Sequence, residues 1–164
     1  MAALWSQTLR VKEVGRHDNF FALGGNSLLA LKLFERIHKS FSCHLPLASL
    51  FEFPTVSQLV RLLHSEEDHQ RLRSSLVRIR PEGNLAPFFC VHGGGGEVLF
   101  GRDLARSLQP GIPFYGLQAG GLGNPAERHR SIEEMAAHYI EAIQSVIAEG
   151  PIHLGGYCMG GLVA

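Results

Sequence analysis

The sequence predicts two parts: an all-α region over residues 1–66, then a parallel α/β sheet over residues 87–164. Three observations predict it. The front is rich in Leu and Phe at helical spacing. A charged stretch from His64 to Arg80 follows, closed by the turn residues Pro81-Glu82-Gly83-Asn84, so residues 67–86 read as a linker. From Pro87 onward short apolar runs alternate with Gly-rich turns and helical patterns, the order of elements in a parallel sheet flanked by helices.

The front part is built around one helix. Phe20-Phe21-Ala22-Leu23-Gly24-Gly25-Asn26-Ser27 places two glycines and an asparagine before a helical run. At 100° per residue Leu29, Ala30, Leu33, Phe34 and Ile37 gather on one face, and Lys32, Glu35, Arg36 and Lys39 on the other. Leu28 projects among the charged residues beside Ser27, as a surface that partners touch would require. Ser27 itself has two readings: an N-cap that accepts an orphan backbone N–H, or a functional hydroxyl. Further on, Thr55 with Gln58 makes a capping box for a last helix whose Val56, Leu59, Val60 and Leu63 close the core.

Trp5, the run Val14-Gly15 through Asp18 and Phe20 to Ala30, then Leu45-Pro46-Leu47, Leu50-Phe51-Glu52 and Pro54-Thr55-Val56 closely resemble the peptidyl carrier domains of nonribosomal peptide synthetases. The resemblance spans about residues 4–63 and includes the Leu-Gly-Gly-x-Ser-Leu core of the family motif. It implies an all-α four-helix carrier bundle and covalent 4′-phosphopantetheine on Ser27, attached by a separate phosphopantetheinyl transferase. It also implies upstream adenylation and condensation domains as partners. A helix N-terminus flanked by glycines suits that chemistry, because its N–H groups and dipole favour an incoming phosphate.

In the back part, Phe88–Val91, Phe114–Leu117 and Ile152–Leu154 read as buried parallel strands. Ser131 to Ala148 reads as a helix, with Ser131 and Glu134 as a capping box and Ile132, Met135, Tyr139, Ile143 and Val146 on one face. Gly155-Gly156-Tyr157-Cys158-Met159-Gly160-Gly161 follows the last strand and opens a helix. This is the context of a nucleophile elbow, with cysteine where serine is usual. Cysteine alone reads as a small hydrophobe, but at such an elbow it reads as a reactive thiol. The glycines two before and two after Cys158 are expected because the turn is too tight for a Cβ. Val91-His92-Gly93-Gly94-Gly95-Gly96 fits an oxyanion loop, whose N–H would join that of Met159. A phosphate-binding loop is the weaker reading, since no Gly-Lys-Ser/Thr follows.

Pro87 to Gly93, Arg102 to Ala105, Pro113 to Ala119, Ser131 to Ala136 and Gly150 to Tyr157 are similar to the thioesterase domains that end peptide synthetases. By that resemblance Cys158 is the nucleophile that accepts an acyl chain for hydrolysis or cyclisation, with Gly94 (Gly93 second) and Met159 as oxyanion donors. The implied fold is a partial α/β-hydrolase sheet, truncated after the elbow. The triad of this fold runs nucleophile, acid, histidine, yet only six residues follow Cys158, and His92, His129, His138, His153 and Asp103 all precede it. The expectation is a longer gene product and a back part that is catalytically incompetent alone.

Composition narrows the remaining classes. Fifteen basic residues balance fifteen acidic ones, which gives no reason to expect nucleic acid or an anionic membrane as partner. No apolar run approaches the roughly 20 residues of a spanning helix, and no signal peptide is visible. Three separated cysteines point to a reducing cytoplasm. The nine histidines lack metal-ligand spacing, so no metal is expected. Two functions remain: a non-catalytic acyl or peptidyl carrier with an unfinished hydrolase behind it, or a cysteine-nucleophile thioesterase or esterase active in its own right. The corresponding end of a polyketide synthase is a variant of the first.

Overall fold

The computed structural model describes residues 1–65, 68, 72, 74–122 and 128–164. It divides into two units, Met1–Leu72 and Arg73–Ala164.

The first unit is all-α. Its helices among the described residues are α1 (Ala2–Leu9), α2 (Ser27–Phe41), α3 (Ser49–Glu52) and α4 (Val56–Leu62). The amphipathic pattern of α2 turns Ala30, Leu33, Phe34 and Ile37 inward, where Trp5, Phe20, Leu50 and Leu59 are also buried. Trp5 and Phe20 meet edge to face with ring centroids 5.3 Å apart, the arrangement the aromatic quadrupole favours. α4 begins with the expected capping box: Thr55 accepts the Gln58 N–H, and the Gln58 side chain accepts the Thr55 N–H. Its buried stripe is Val56, Leu59 and Leu62; Val60, expected in the core, is exposed, because the i, i+3, i+6 row rather than i+4 faces inward.

The second unit is a mixed sheet of β1 (Leu76–Arg80), β2 (Phe88–Val91), β3 (Phe114–Leu117) and β4 (His153–Gly156), in the order β1-β3-β2-β4. β2 pairs in parallel with both β3 and β4, with Phe88 opposite Phe114 and His153. β1 is antiparallel to β3. It falls inside the expected linker, part of which lies outside the described residues. Its Leu-Val-Arg-Ile-Arg alternation reads as charge in one dimension but puts arginines on a sheet edge, where they are well suited. Arg80 Nη2 then donates to the Ile112 carbonyl at 2.8 Å, tying that edge down.

Helices α5 (Gly101–Ser107), α6 (Ile132–Gln144) and the short α7 (Gly160–Val163) complete the unit. The period-2 alternation of the strands creates two cores. Phe89, Val91, Tyr115 and Leu117 pack with Tyr139 and Ile143 of α6, while Cys90 and Phe114 pack with Ala105 of α5. α6 stops at Gln144, short of Ala148, and Ile132 is exposed rather than buried. Ser131 does accept the Glu134 N–H at 3.1 Å, but the Glu134 carboxylate takes the Arg130 N–H at 2.7 Å, so the reciprocal bond lies one residue upstream of a capping box. No helix among the described residues is long and apolar enough to cross a membrane.

Candidate functional sites at Ser27 and Cys158

The turn before α2 is shaped by two glycines with different duties. Gly24 has φ +89°, a conformation that costs little only without a Cβ. Gly25 lies against Phe20, whose ring would stand 2.3 Å from a Cβ there. The chain then enters α2 with Asn26 as N-cap, its side chain accepting the Leu29 N–H at 3.0 Å. Ser27 is therefore the first helical residue and not the cap, and its exposed hydroxyl has no hydrogen-bond partner among the described residues. Leu28 is 62% exposed, as its place on the helical wheel predicts. Leu31, 54% exposed, joins it; its i+4 spacing from Ser27 is the signal that places it beside the serine.

The elbow after β4 is held by backbone contact. Tyr157 N–H extends the parallel ladder by donating to Val91 O at 3.1 Å. Cys158 is exposed with φ +55°, a left-handed conformation that is uncommon for a side-chain-bearing residue and often marks a functional turn. A Cβ on Gly156 would sit 2.0 Å from the Gly160 carbonyl group, and one on Gly160 would sit 2.4 Å from the His92 carbonyl oxygen. The glycine spacing thus reflects a turn folded against itself and against the end of β2. No histidine or carboxylate among the described residues hydrogen-bonds Cys158.

Gly94 and Met159 line one cavity of about 260 Å³, together with Arg128, His129 and Met135. The N–H groups of Gly94, Gly95 and Met159 donate to no described protein atom, so they are available to an oxygen in that cavity. Burial, then the neighbouring His138, lowers the pKa of His129 and favours its neutral form, which leaves Arg128 as the fixed charge on this wall. Among the described residues no group of three or more His, Cys, Asp or Glu side chains is placed to hold a metal ion.

Behind the glycine loop, His92 of the motif meets side chains that the motif does not name. His92 is 1% exposed; its Nδ1 faces the Gly93 carbonyl and its Nε2 lies 2.8 Å from the Tyr139 hydroxyl. That hydroxyl donates to the Gln118 carbonyl at 3.1 Å. Glu97, just after the loop, has a buried carboxylate oxygen without a partner, and burial pushes its pKa up to about 7. A lone glutamate after four glycines carries no periodicity that would have flagged it.

A family model described as a phosphopantetheine attachment site matches residues 1–63, and one described as a thioesterase domain matches residues 86–164. The chain is 39% identical over 165 residues to malpinin synthetase of Mortierella alpina, covering 100% of the chain and 2% of that protein. It is similar to the crystal structure of a holo four-domain nonribosomal peptide synthetase bound to AMP and glycine, at 35% identity and a TM-score of 0.58, over 99% of the chain and 12% of that one. It is also similar to the NocB thioesterase domain in covalent complex with a fluorophosphonate nocardicin G analogue, at 32% identity and a TM-score of 0.51. There the match covers 54% of the chain and 40% of that domain's chain. The chain therefore spans a small part of the length of these relatives.

Proposed function

Since the chain belongs to the carrier–thioesterase portion of nonribosomal peptide synthetases, we propose that Ser27 carries covalent 4′-phosphopantetheine and that Cys158 accepts the acyl or peptidyl group for release. The observation that carries this reading is the division of labour at the head of α2: Asn26 caps the helix, so the Ser27 hydroxyl is exposed and uncommitted. Nothing in the turn blocks a phosphodiester on Ser27 Oγ, and the helix end offers a favourable potential to its charge. When bound, that group supplies a terminal thiol that holds acyl chains as thioesters. The chain's part is to present Ser27 beside Leu28 and Leu31, a surface suited to the transferase and to the adenylation and condensation domains we propose as partners.

For release, Cys158 Sγ is exposed at the tip of the elbow, and the Gly94 and Met159 N–H groups are free to donate to the carbonyl oxygen of an acyl thioester. The reading as a carrier with its boundary in the 67–86 stretch is favoured over a self-sufficient cysteine hydrolase, because no acid–histidine pair reaches Cys158 among the described residues. The test is to load the chain with a radiolabelled acyl-coenzyme A through a broad-specificity transferase. Label should be retained on the chain in the wild type and in Cys158→Ala, and be absent from Ser27→Ala. Rapid release of free acid by the wild type, abolished in Cys158→Ala, would favour the hydrolase instead.

A further inference from the structure

We infer that Tyr139 is a positioning residue for the oxyanion loop, holding His92 and through it Gly93 and Gly94 in the orientation that acylation of Cys158 needs. The inference rests on the reading of Cys158 as the acyl acceptor.

The chain of contacts runs through three elements. Tyr139 projects from α6, Gln118 lies just beyond β3, and His92 lies just beyond β2. The phenol and the imidazole are both fully buried, and their rings meet edge to face with centroids 6.1 Å apart. A buried hydroxyl left without partners is destabilising, so this one is committed to its two neighbours. Burial also raises the Tyr139 pKa, which keeps the phenol protonated as a donor. A neutral imidazole has one N–H: donated by Nδ1 to the Gly93 carbonyl, it leaves Nε2 to accept from the phenol O–H, which lies between Nε2 at 2.8 Å and the Gln118 carbonyl at 3.1 Å. The Nδ1 contact fixes the Gly93–Gly94 peptide unit, because a carbonyl and the N–H of the next residue share one plane. The Gly94 N–H it orients lines the same cavity as Met159.

Glycines at 93–96 leave this loop with few intrinsic backbone preferences. Two backbone bonds hold part of it, Gly93 O accepting the Gly96 N–H at 3.0 Å and Gly96 O accepting the Ala119 N–H at 2.9 Å, and His92 adds a side-chain contact to the same Gly93 carbonyl. Tyr139 does not line the cavity, but its ring meets His129, which does, with centroids 6.0 Å apart; Tyr139→Phe keeps that ring contact and removes only the hydroxyl that reaches His92 and Gln118.

In acylation, Cys158 sulfur bonds to the carbonyl carbon of a thioester, the carbonyl oxygen takes negative charge, and the departing thiolate carries away the electron pair of the broken C–S bond. The thiol proton of Cys158 ends on that leaving group. Alkylation of the same sulfur by iodoacetamide displaces iodide and develops no such oxyanion. The two reactions therefore separate loop positioning from access to the thiol.

The experiment compares wild type and Tyr139→Phe in the full chain, following Cys158 by peptide mass mapping. The probes are an acyl-N-acetylcysteamine thioester and, separately, iodoacetamide. The phenylalanine keeps the ring, and amide spectra of β2 and β3 check that the sheet is intact. We expect acylation to slow roughly tenfold to a hundredfold while alkylation stays within about twofold. The Gly93, Gly94 and Gly95 amide resonances should also move. Acylation and alkylation falling together, or unmoved glycine resonances, would overturn the inference. Should wild-type Cys158 be alkylated but never acylated, the reading of Cys158 as acceptor fails. The glycine resonances would then decide the inference alone: moved supports the loop tether, and unmoved overturns it.

Discussion

The Asn26 side chain accepts the Leu29 N–H, and this places the capping duty of α2 one residue before Ser27. Stability and modification should therefore map to different side chains. Asn26→Ala is expected to cost about 1 kcal/mol in the first unit through loss of the cap. Ser27→Ala should change stability by less than about 0.5 kcal/mol. The sole tryptophan, Trp5, is buried in that unit, so its fluorescence in a urea titration reads both variants directly.

The elbow makes a sharper demand. Gly156→Ala would drive a methyl group into the Gly160 carbonyl, a backbone clash that no rotamer change relieves. We expect a cost of about 3 kcal/mol or more. Hydrogen exchange in Phe88–Val91 and Phe114–Leu117 should quicken while the Trp5 transition stays in place. Unchanged exchange in both strands would mean that the turn has another way to close.

Glu97 predicts a pH dependence. Its carboxyl pKa is raised by burial from 4.5 to about 7 in the folded chain. Between those values the unfolded chain has lost the proton that the folded chain keeps, so stability falls as pH rises from about 4.5 to 7 and levels off above. The full effect is on the order of 3 kcal/mol as an upper limit. Glu97→Gln should flatten this slope and stabilise the second unit at pH 8, measured by exchange protection corrected for intrinsic rates. A slope unchanged in the variant would assign the pH dependence to another group.

How far these features are legible in the sequence depends on the range of the interactions behind them. β2 and β3 are four-residue apolar runs between turn residues, and both are legible with their bounds. The elbow is legible because its glycine spacing is a local pattern around Cys158, although only Gly156 meets the turn itself and Gly160 meets the end of β2. β1 is not legible, because alternating arginines look like a solvated linker until a neighbouring strand turns the alternation into two faces. The Tyr139 tether could not be read at all, since its partners stand 47 and 21 positions away and periodicity reports only that the ring is buried. The cap at Asn26 lay between these extremes: adjacent asparagine and serine both favour that position, and only the backbone entry into α2 chooses.

The most direct test of the central claim is the intact mass of the chain after incubation with a broad-specificity phosphopantetheinyl transferase, coenzyme A and Mg2+. A carrier serine at position 27 predicts a gain of one phosphopantetheine in the wild type, unchanged in Cys158→Ala and absent in Ser27→Ala. No gain in a chain whose Trp5 fluorescence shows the first unit folded would contradict it, and would leave Ser27 as an exposed helical serine without a carrier role.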